Sequence, residues 1–488
     1  MSHPVRKVKP WLLALVLVVS SCQSGPARRQ TLPTTTTTTT PLPVTTPHGD
    51  IAVGSEQEPT CLDWIGGCVP GPAGVSPSTG IYAVEADTLP RAYDFSADGI
   101  YKPSILITGE AGVSNSPNQT VTYNINPRAV WSDGQPITST DFKYTWQQIE
   151  ASTAPIDKSG YSRILTVDDT DPHTAVVTFS TPYANWKQLF GGTYGIYPSH
   201  ILENEDLATA MNNGYTWSGG PWTIDHWTKG VELKLVPNMN YWGKKPDLNS
   251  VTIKFFTDPS AEQQAFRSGQ VLALYPSAEH PLDGYLDLPG TTVDAIGGLA
   301  FDAIWFNVEQ APLTSKAVRQ ALAYATDRNT IAQEMFISSP VVGQPINSFF
   351  TPAYAKGYTE PFAKYKPDLS MVNTLMTGDG WAKGLDGIWA KGSQKAAMTL
   401  KVDATNPSQL LAAQLLVAQW QQAGFQLSVV PESATQLMAT DLPHGNFQVA
   451  VFAHSPSDDD VAQCSLWCSK NIPKPASGSP VADRKSVV

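Results

Sequence analysis

From about Ile51 onward, segments in which side chains alternate with a period of two are interleaved with segments of helical period. Val121, Tyr123 and Ile125 alternate with polar neighbours, as do Val231, Leu233 and Leu235, and again Val251, Ile253 and Phe255. Each set predicts a half-buried strand. Thr138 predicts a helix start, with Asp141 in the first turn and Phe142, Trp146 and Ile149 along one face. A second helix is expected from about Ser315 to Phe336, with Val318, Leu322 and Ala325 inward. A third has Asn406 as cap and Pro407 at its first position, runs from Leu410 to Ala423, and stops at Gly424. Such interleaving over 488 residues requires a large α/β or α+β fold with more than one lobe. No period of about 20–50 residues recurs, which excludes solenoids and propellers.

The first fifty residues read as an address. Arg6, Lys7 and Lys9 precede an apolar run, Trp11–Val19, that is too short to cross a bilayer, which needs about 20 such residues. This is the pattern of a signal peptide over 1–21. Val19-Ser20-Ser21-Cys22 looks like a bacterial lipobox, in which the cysteine becomes the lipidated first residue of the mature protein. An ordinary secretory signal with an incidental cysteine is the alternative. Residues 22–50 follow as a tether, with ten Thr and five Pro and almost no large apolar side chain. Such a tract cannot bury a core, and serves equally as a spacer or a glycosylated stalk. The localisation expected is therefore the outer face of the cytoplasmic membrane.

Four further cysteines lie in two close pairs, Cys61/Cys68 and Cys464/Cys468. An even count in an exported chain favours two local disulfides that pin loop geometry. A zinc site using Cys464, Cys468 and His454 is the rival reading, and it lacks a nearby fourth ligand.

Composition narrows the function. With 43 acidic against 32 basic residues and a formal charge of −11, the chain is ill suited to a nucleic-acid backbone. It has no GxSxG elbow, HExxH helix, P-loop or GxGxxG turn, and its eight histidines are scattered without ligand spacing. Adjacent acids such as Asp168-Asp169 and Asp458-Asp459-Asp460 read as solvated loops. No enzyme, cofactor or metal site is indicated. Tryptophan is plentiful instead, 14 in all, with a cluster at Trp217, Trp222, Trp227 and Trp242 that suits either a core or a ligand cleft.

Three stretches together resemble the family 5 extracellular solute-binding proteins, the oligopeptide and dipeptide receptors of ABC importers. The first runs from Asn126 through Trp131-Ser-Asp-Gly134 to Asp141-Phe142, a strand, an Asp-Gly turn and a helix with an early acid. The second runs from Ser218-Gly-Gly-Pro-Trp222 to Asn238-Met-Asn-Tyr-Trp242. The third contains Asn307, Pro312-Leu313, Val318-Arg-Gln-Ala321 and Ala325-Thr-Asp-Arg328. The cysteine pairs and the Thr-rich tract suggest an actinobacterial branch.

The resemblance implies an α/β, two-lobed, type II periplasmic-binding-protein-like fold with an inserted subdomain. Lobe I would use 51–92 and 206–295, the insert 93–205, and lobe II 296–482. In the family the chain then returns to complete lobe I, so lobe I is expected to be incomplete here. The last six residues, Asp483–Val488, can be encoded by a common sequencing-adapter sequence and are read as foreign to a truncated chain. A shorter natural variant is the other reading.

The function implied is capture of a peptide-like solute by a lipid-anchored monomer that delivers it to a membrane permease with ATPase partners. Aromatic side chains should line the cleft: Tyr194 and Trp217 on one side, and Trp305 with the His454–Asp458 loop on the other. Peptide receptors of the family place an Asp where this chain has His454, so a glycolipid or cell-wall precursor bound by a regulatory lipoprotein is the alternative. Mass spectrometry of the membrane fraction is expected to find a diacylglyceryl group on Cys22. A mature N-terminus further along the tether would contradict the lipobox reading.

Overall fold

The computed structural model describes residues 49–56, 58–66, 79–96, 100–153, 158, 160–191, 195–256, 258–274, 285, 288–293, 301–337, 344–348, 359–434 and 436–454. Cys22, Cys68, Tyr194, Asp458, Cys464 and Cys468 lie outside these residues, as do the leader, residues 22–48 of the tether and the chain beyond His454. Cys61 is disulfide-bonded.

Strand β1 (Asp50–Ser55) opens the first sheet, and the chain then leaves it. A helix, Thr79–Thr88, leads to a ribbon of β2 (Tyr93–Phe95) and β3 (Tyr101–Pro103). Next come β4 (Gly112–Ser114), β5 (Thr120–Asn124), β6 (Ile164–Asp171) and β7 (Thr174–Phe179), an antiparallel sheet in the order β4-β5-β7-β6. The chain returns as β8 (Trp222–Thr228), β9 (Glu232–Pro237), β10 (Ser250–Phe255) and β11 (Ala273–Leu274). The first sheet is then complete in the order β11-β1-β10-β9-β8, with β1 parallel to both β10 and β11. The third alternating set falls wholly inside β10, and the first falls in β5 except for Ile125, which makes an isolated bridge to Ile107, but Val231 of the second lies outside its strand. It is 55% exposed and lies in a turn closed by its N–H to the Thr228 carbonyl, so β9 starts one residue later.

The second half begins with β12 (Phe301–Phe306). The single helix expected over 315–336 is two, Lys316–Ala325 and Arg328–Met335. The break falls at Thr326, which adopts extended backbone, and Asp327, whose carboxylate accepts the N–H groups of Asn329 and Thr330 to cap the second helix. An internal cap outcompetes continued helix here because Trp420 Nε1 donates to Thr326 Oγ1 and holds the kink against the core. A helix at Leu369–Gly378 and a small three-stranded sheet of β13 (Ala382–Lys383), β14 (Trp389–Lys391) and β15 (Gln394–Lys395) follow. Then come β16 (Ala397–Asp403), the Pro407–Ala423 helix, β17 (Gln426–Glu432) and β18 (Val449–His454). That helix carries the cap, first-turn proline and glycine stop expected of it.

The two sequence motifs of the first half prove to be packing devices. Gly134 closes the Asp-Gly turn at φ +88°, where a side chain would be strained. The buried Asp141 carboxylate accepts hydrogen bonds from Thr138 N, Trp131 Nε1, Ser199 N and Ser199 Oγ at 2.7–3.3 Å. One side chain thus ties the turn, the helix that begins at Ser139 and the Ser199 turn together. Burial pushes its carboxyl up, and those hydrogen bonds pull it back. In the second motif, a Cβ on Gly220 would lie 2.2 Å from the Asp87 carbonyl oxygen, so only glycine lets this turn touch the end of the Thr79–Thr88 helix. Asp141→Ala should cost about 2–4 kcal/mol in urea unfolding, because it strands several buried donors at once.

Glu85 is the outlier of this core. It is fully buried, and neither carboxylate oxygen has a hydrogen-bond partner among the described residues. Burial first, and then Asp63, raises its carboxyl well above the ordinary 4.5 against a pull from Arg91. A raised folded-state value means that its contribution to stability is fully present below about 4.5 and lost as the pH rises through the folded-state value. Glu85→Gln should therefore flatten the decline of urea midpoint with pH above 4.5, leaving the variant at least as stable as the parent at pH 8.

Candidate functional site

The second sheet has the order β12-β18-β16-β17. Strand β18 pairs antiparallel with β12, from Phe301↔His454 to Phe306↔Val449, and parallel with β16 at Leu400↔Val449, Lys401↔Ala450 and Val402↔Val451. The carboxyl ends of β16, β17 and β18 and the start of β12 therefore share one edge. The N-terminus of the Pro407–Ala423 helix arises at that edge, three residues after β16. Open α/β sheets bind their ligands outside the carboxyl ends of their strands, which makes this edge the candidate site.

Register sorts the side chains onto two faces. Ile304, Phe306, Val449, Val451, Leu400 and Val402 face the helices, packed with Leu322, Leu416 and Trp420. Trp305, Ala450, Phe452 and Lys401 occupy the other face. There the segment Gln436–His444 lies over the sheet, and Leu437, Leu442, Phe447 and Ala450 form a small core with Trp305, Met438 and Phe452 against it.

Trp305, expected to line a cleft, is half-buried in this cluster. Its ring stacks on Phe452 at 4.8 Å and 13°, and Nε1 donates to the Phe452 carbonyl at 3.2 Å. His454 ends β18 opposite Phe301, at the edge itself. The two residues share one strand pair but stand toward opposite ends of it, since Trp305 lies opposite Ala450, four residues from the edge where His454 faces Phe301. Trp217 belongs elsewhere. It is 8% exposed, stacks on Tyr215 at 4.0 Å and meets Trp131 and Tyr197 edge-on, so it packs in the first aromatic core. A tryptophan beside a glycine turn has the same sequence signature whether it lines a cleft or fills a core, and burial decides between them.

Two charged features of this sheet were not singled out in the sequence. Lys401 Nζ lies 2.8 Å from both Glu432 Oε1 and Asp441 Oδ2, a largely buried triad with side-chain exposures of 15%, 15% and 6%. Burial opposes ionisation of Asp441, and hydrogen bonds led by Lys401 outweigh it, holding the carboxyl down at about 2. The triad bolts the covering segment to β16 and β17. The second feature is Asp302, which accepts from Gln409 Nε2 at 2.8 Å and whose carboxyl is raised by burial. Alternation alone puts Asp302 on the helix-facing side with Ile304 and Phe306, so an acid at this position was a legible anomaly.

A cavity of about 430 Å³ lies elsewhere in the second half, among Asp327, Arg328, Asn347, Glu360 and Tyr365. Its guanidinium is engaged by the Ile346 and Phe362 carbonyls and Asn347 Oδ1, which gives Arg328 the work of holding a loop.

The model of the bacterial extracellular solute-binding proteins, family 5, matches residues 110–473. The chain belongs to that family. OppA of Mycobacterium tuberculosis, an oligopeptide-binding protein, is 27% identical over 384 residues, 76% of this chain and 64% of its own length. The chain thus spans less than two thirds of that relative. A second M. tuberculosis protein, whose name reads "Probable monoacyl phosphatidylinositol tetramannoside-binding protein LpqW", is 30% identical over 286 residues, 54% of this chain and 42% of its own length. Among solved structures, the periplasmic EDTA-binding protein EppA superposes with a TM-score of 0.76 at 21% identity, covering 90% of this chain and 84% of that one. The fold is accordingly the α/β, type II binding-protein fold, and the family's members are solute binders rather than enzymes.

The triad generates a test. Asp441 has a depressed folded-state value, so its contribution to stability is present above the ordinary 3.8 and lost as the pH falls through about 2. Lys401→Met leaves two carboxylates facing each other. It should cost about 1–3 kcal/mol at pH 7, and its deficit relative to the parent should shrink as the pH is lowered toward 2. Urea titrations at stepped pH read both effects.

Proposed function

We propose that this chain captures a peptide-class solute outside the cell and delivers it to a membrane permease powered by ATPase partners. The observation that carries this reading is the family match over 110–473, supported by the likeness to an oligopeptide-binding protein over 76% of the chain. In this reading lobe I comprises 51–92 and 206–295, the insert 93–205, and lobe II 296–482. The carboxyl edge of the second sheet forms one wall of the cleft, and Trp305 and His454 stand at or near the ligand. Cys22 anchors a monomer at the membrane surface. Capture works by closure, in which the ligand favours the closed form through contacts that the open form lacks.

A second reading has one specific support, the 30% identity to LpqW. Here a glycolipid takes the place of the peptide, and the role is regulatory rather than import.

Equilibrium dialysis of the full chain against a random pentapeptide pool, followed by mass spectrometry, tests the first reading. Retention of peptides, with a change in tryptophan fluorescence on binding, is the expected outcome. Trp305→Ala should weaken retention by about 1–3 kcal/mol, the loss typical of a central aromatic contact. Failure to retain peptide, with binding of a phosphatidylinositol mannoside in its place, would transfer the function to the second reading.

A further inference from the structure

Among the described residues Asp302 is a carboxylate with no cation paired to it. It stands second in β12, directly across from Ala453 of β18, and so lies at the carboxyl edge one residue from the strand ends. Its side chain is partly exposed, and burial raises its carboxyl, with only the Gln409 hydrogen bond opposing that rise among the described residues. Among the described residues its recorded partner is Gln409, whose Nε2 donates to Oδ1, while Oδ2 has no hydrogen-bond partner. Gln409 is itself only 4% exposed.

The local chemistry shows that this acid is held rather than tolerated. Asn406 caps the Pro407–Ala423 helix by accepting the Gln409 N–H at 2.9 Å. A Gln at the third helical position commonly turns back to the cap residue's own N–H. Here the Asn406 N–H goes to the Asp403 carbonyl, and the Gln409 amide reaches out to Asp302 instead. The neighbours on the same face, Ile304 and Phe306, belong to the apolar core. A carboxylate in that row costs stability unless a partner compensates it, and such uncompensated acids mark functional positions.

We propose that Asp302 is a ligand-contacting residue whose free carboxylate oxygen takes a positively charged group of the solute, an ammonium or a guanidinium. Gln409 positions it: one oxygen is fixed by the buried amide, and the other accepts no hydrogen bond among the described residues. A charge-assisted hydrogen bond there gives orientation as well as affinity. The solute class follows as one that carries an exposed cation, which the anionic headgroup of a phosphatidylinositol mannoside lacks. This inference rests on the peptide reading above and names a residue and a chemistry within it.

The test uses the full chain and three pentapeptide pools built from Ala, Ser, Gln and Phe. One pool has a free N-terminal amine, one is N-acetylated, and one is N-acetylated with a single Lys added. Asp302→Asn keeps the oxygen that Gln409 engages and removes only the charge. It should lower retention of the cation-bearing pools roughly tenfold or more while the N-acetylated pool without Lys, which has no cation, stays within about twofold. Asp302→Glu should recover part of that selectivity. Equal losses for all three pools would show a structural role, and unchanged retention of all three would show no role. Either result overturns the inference while the peptide reading stands. Failure of the parent chain to retain any pool would defeat the peptide reading itself, and this inference with it.

Discussion

The second sheet depends on a strand that arrives last. Val449–His454 enters between β12 and β16, about 145 residues after the first of these, and pairs with both. Without it, β12 and the β16–β17 pair have no common ladder, and the apolar rows that face the helices at 316–325 and 407–423 fall apart. The same insertion sets the direction of the edge. Because β18 runs parallel to β16 and antiparallel to β12, the start of β12 and the ends of β16, β17 and β18 meet at one place. The site is a consequence of strand order, and no single motif encodes it.

Charge is used differently on the two faces of this sheet. On one, Lys401 is satisfied by two carboxylates and fastens the 436–444 segment over Trp305 and Phe452. In that arrangement each carboxylate has an ammonium partner at 2.8 Å. On the other, Asp302 has a neutral amide for company and sits in a row of apolar side chains. Buried ions are stable when paired and costly when not, and this contrast separates a structural triad from a position that awaits a partner.

The residues that carry the family likeness in the first half are, in the structure, the ones with the least freedom. Asp141 gathers four donors from three segments, and Gly220 admits a carbonyl oxygen where any side chain would collide. Such motifs identify a fold because packing tolerates nothing else at those positions.

Helix starts and stops were legible in the chain because they depend on neighbours within four residues: Asn406, Pro407 and Gly424 bound their helix without help from elsewhere. The strands over 120–124 and 250–255 were legible for a similar reason, since alternation is a property of the segment itself. The break at Thr326 was not, because it is held by Trp420, 94 residues away. Nor was the burial of Trp217, which is decided by Tyr215, Trp131 and Tyr197 closing around it. The sequence by itself determined a mixed α/β class and a family. Only the tertiary structure decided which charges find partners, because the pairing of Lys401 and the isolation of Asp302 arise from segments that meet across dozens of residues of chain.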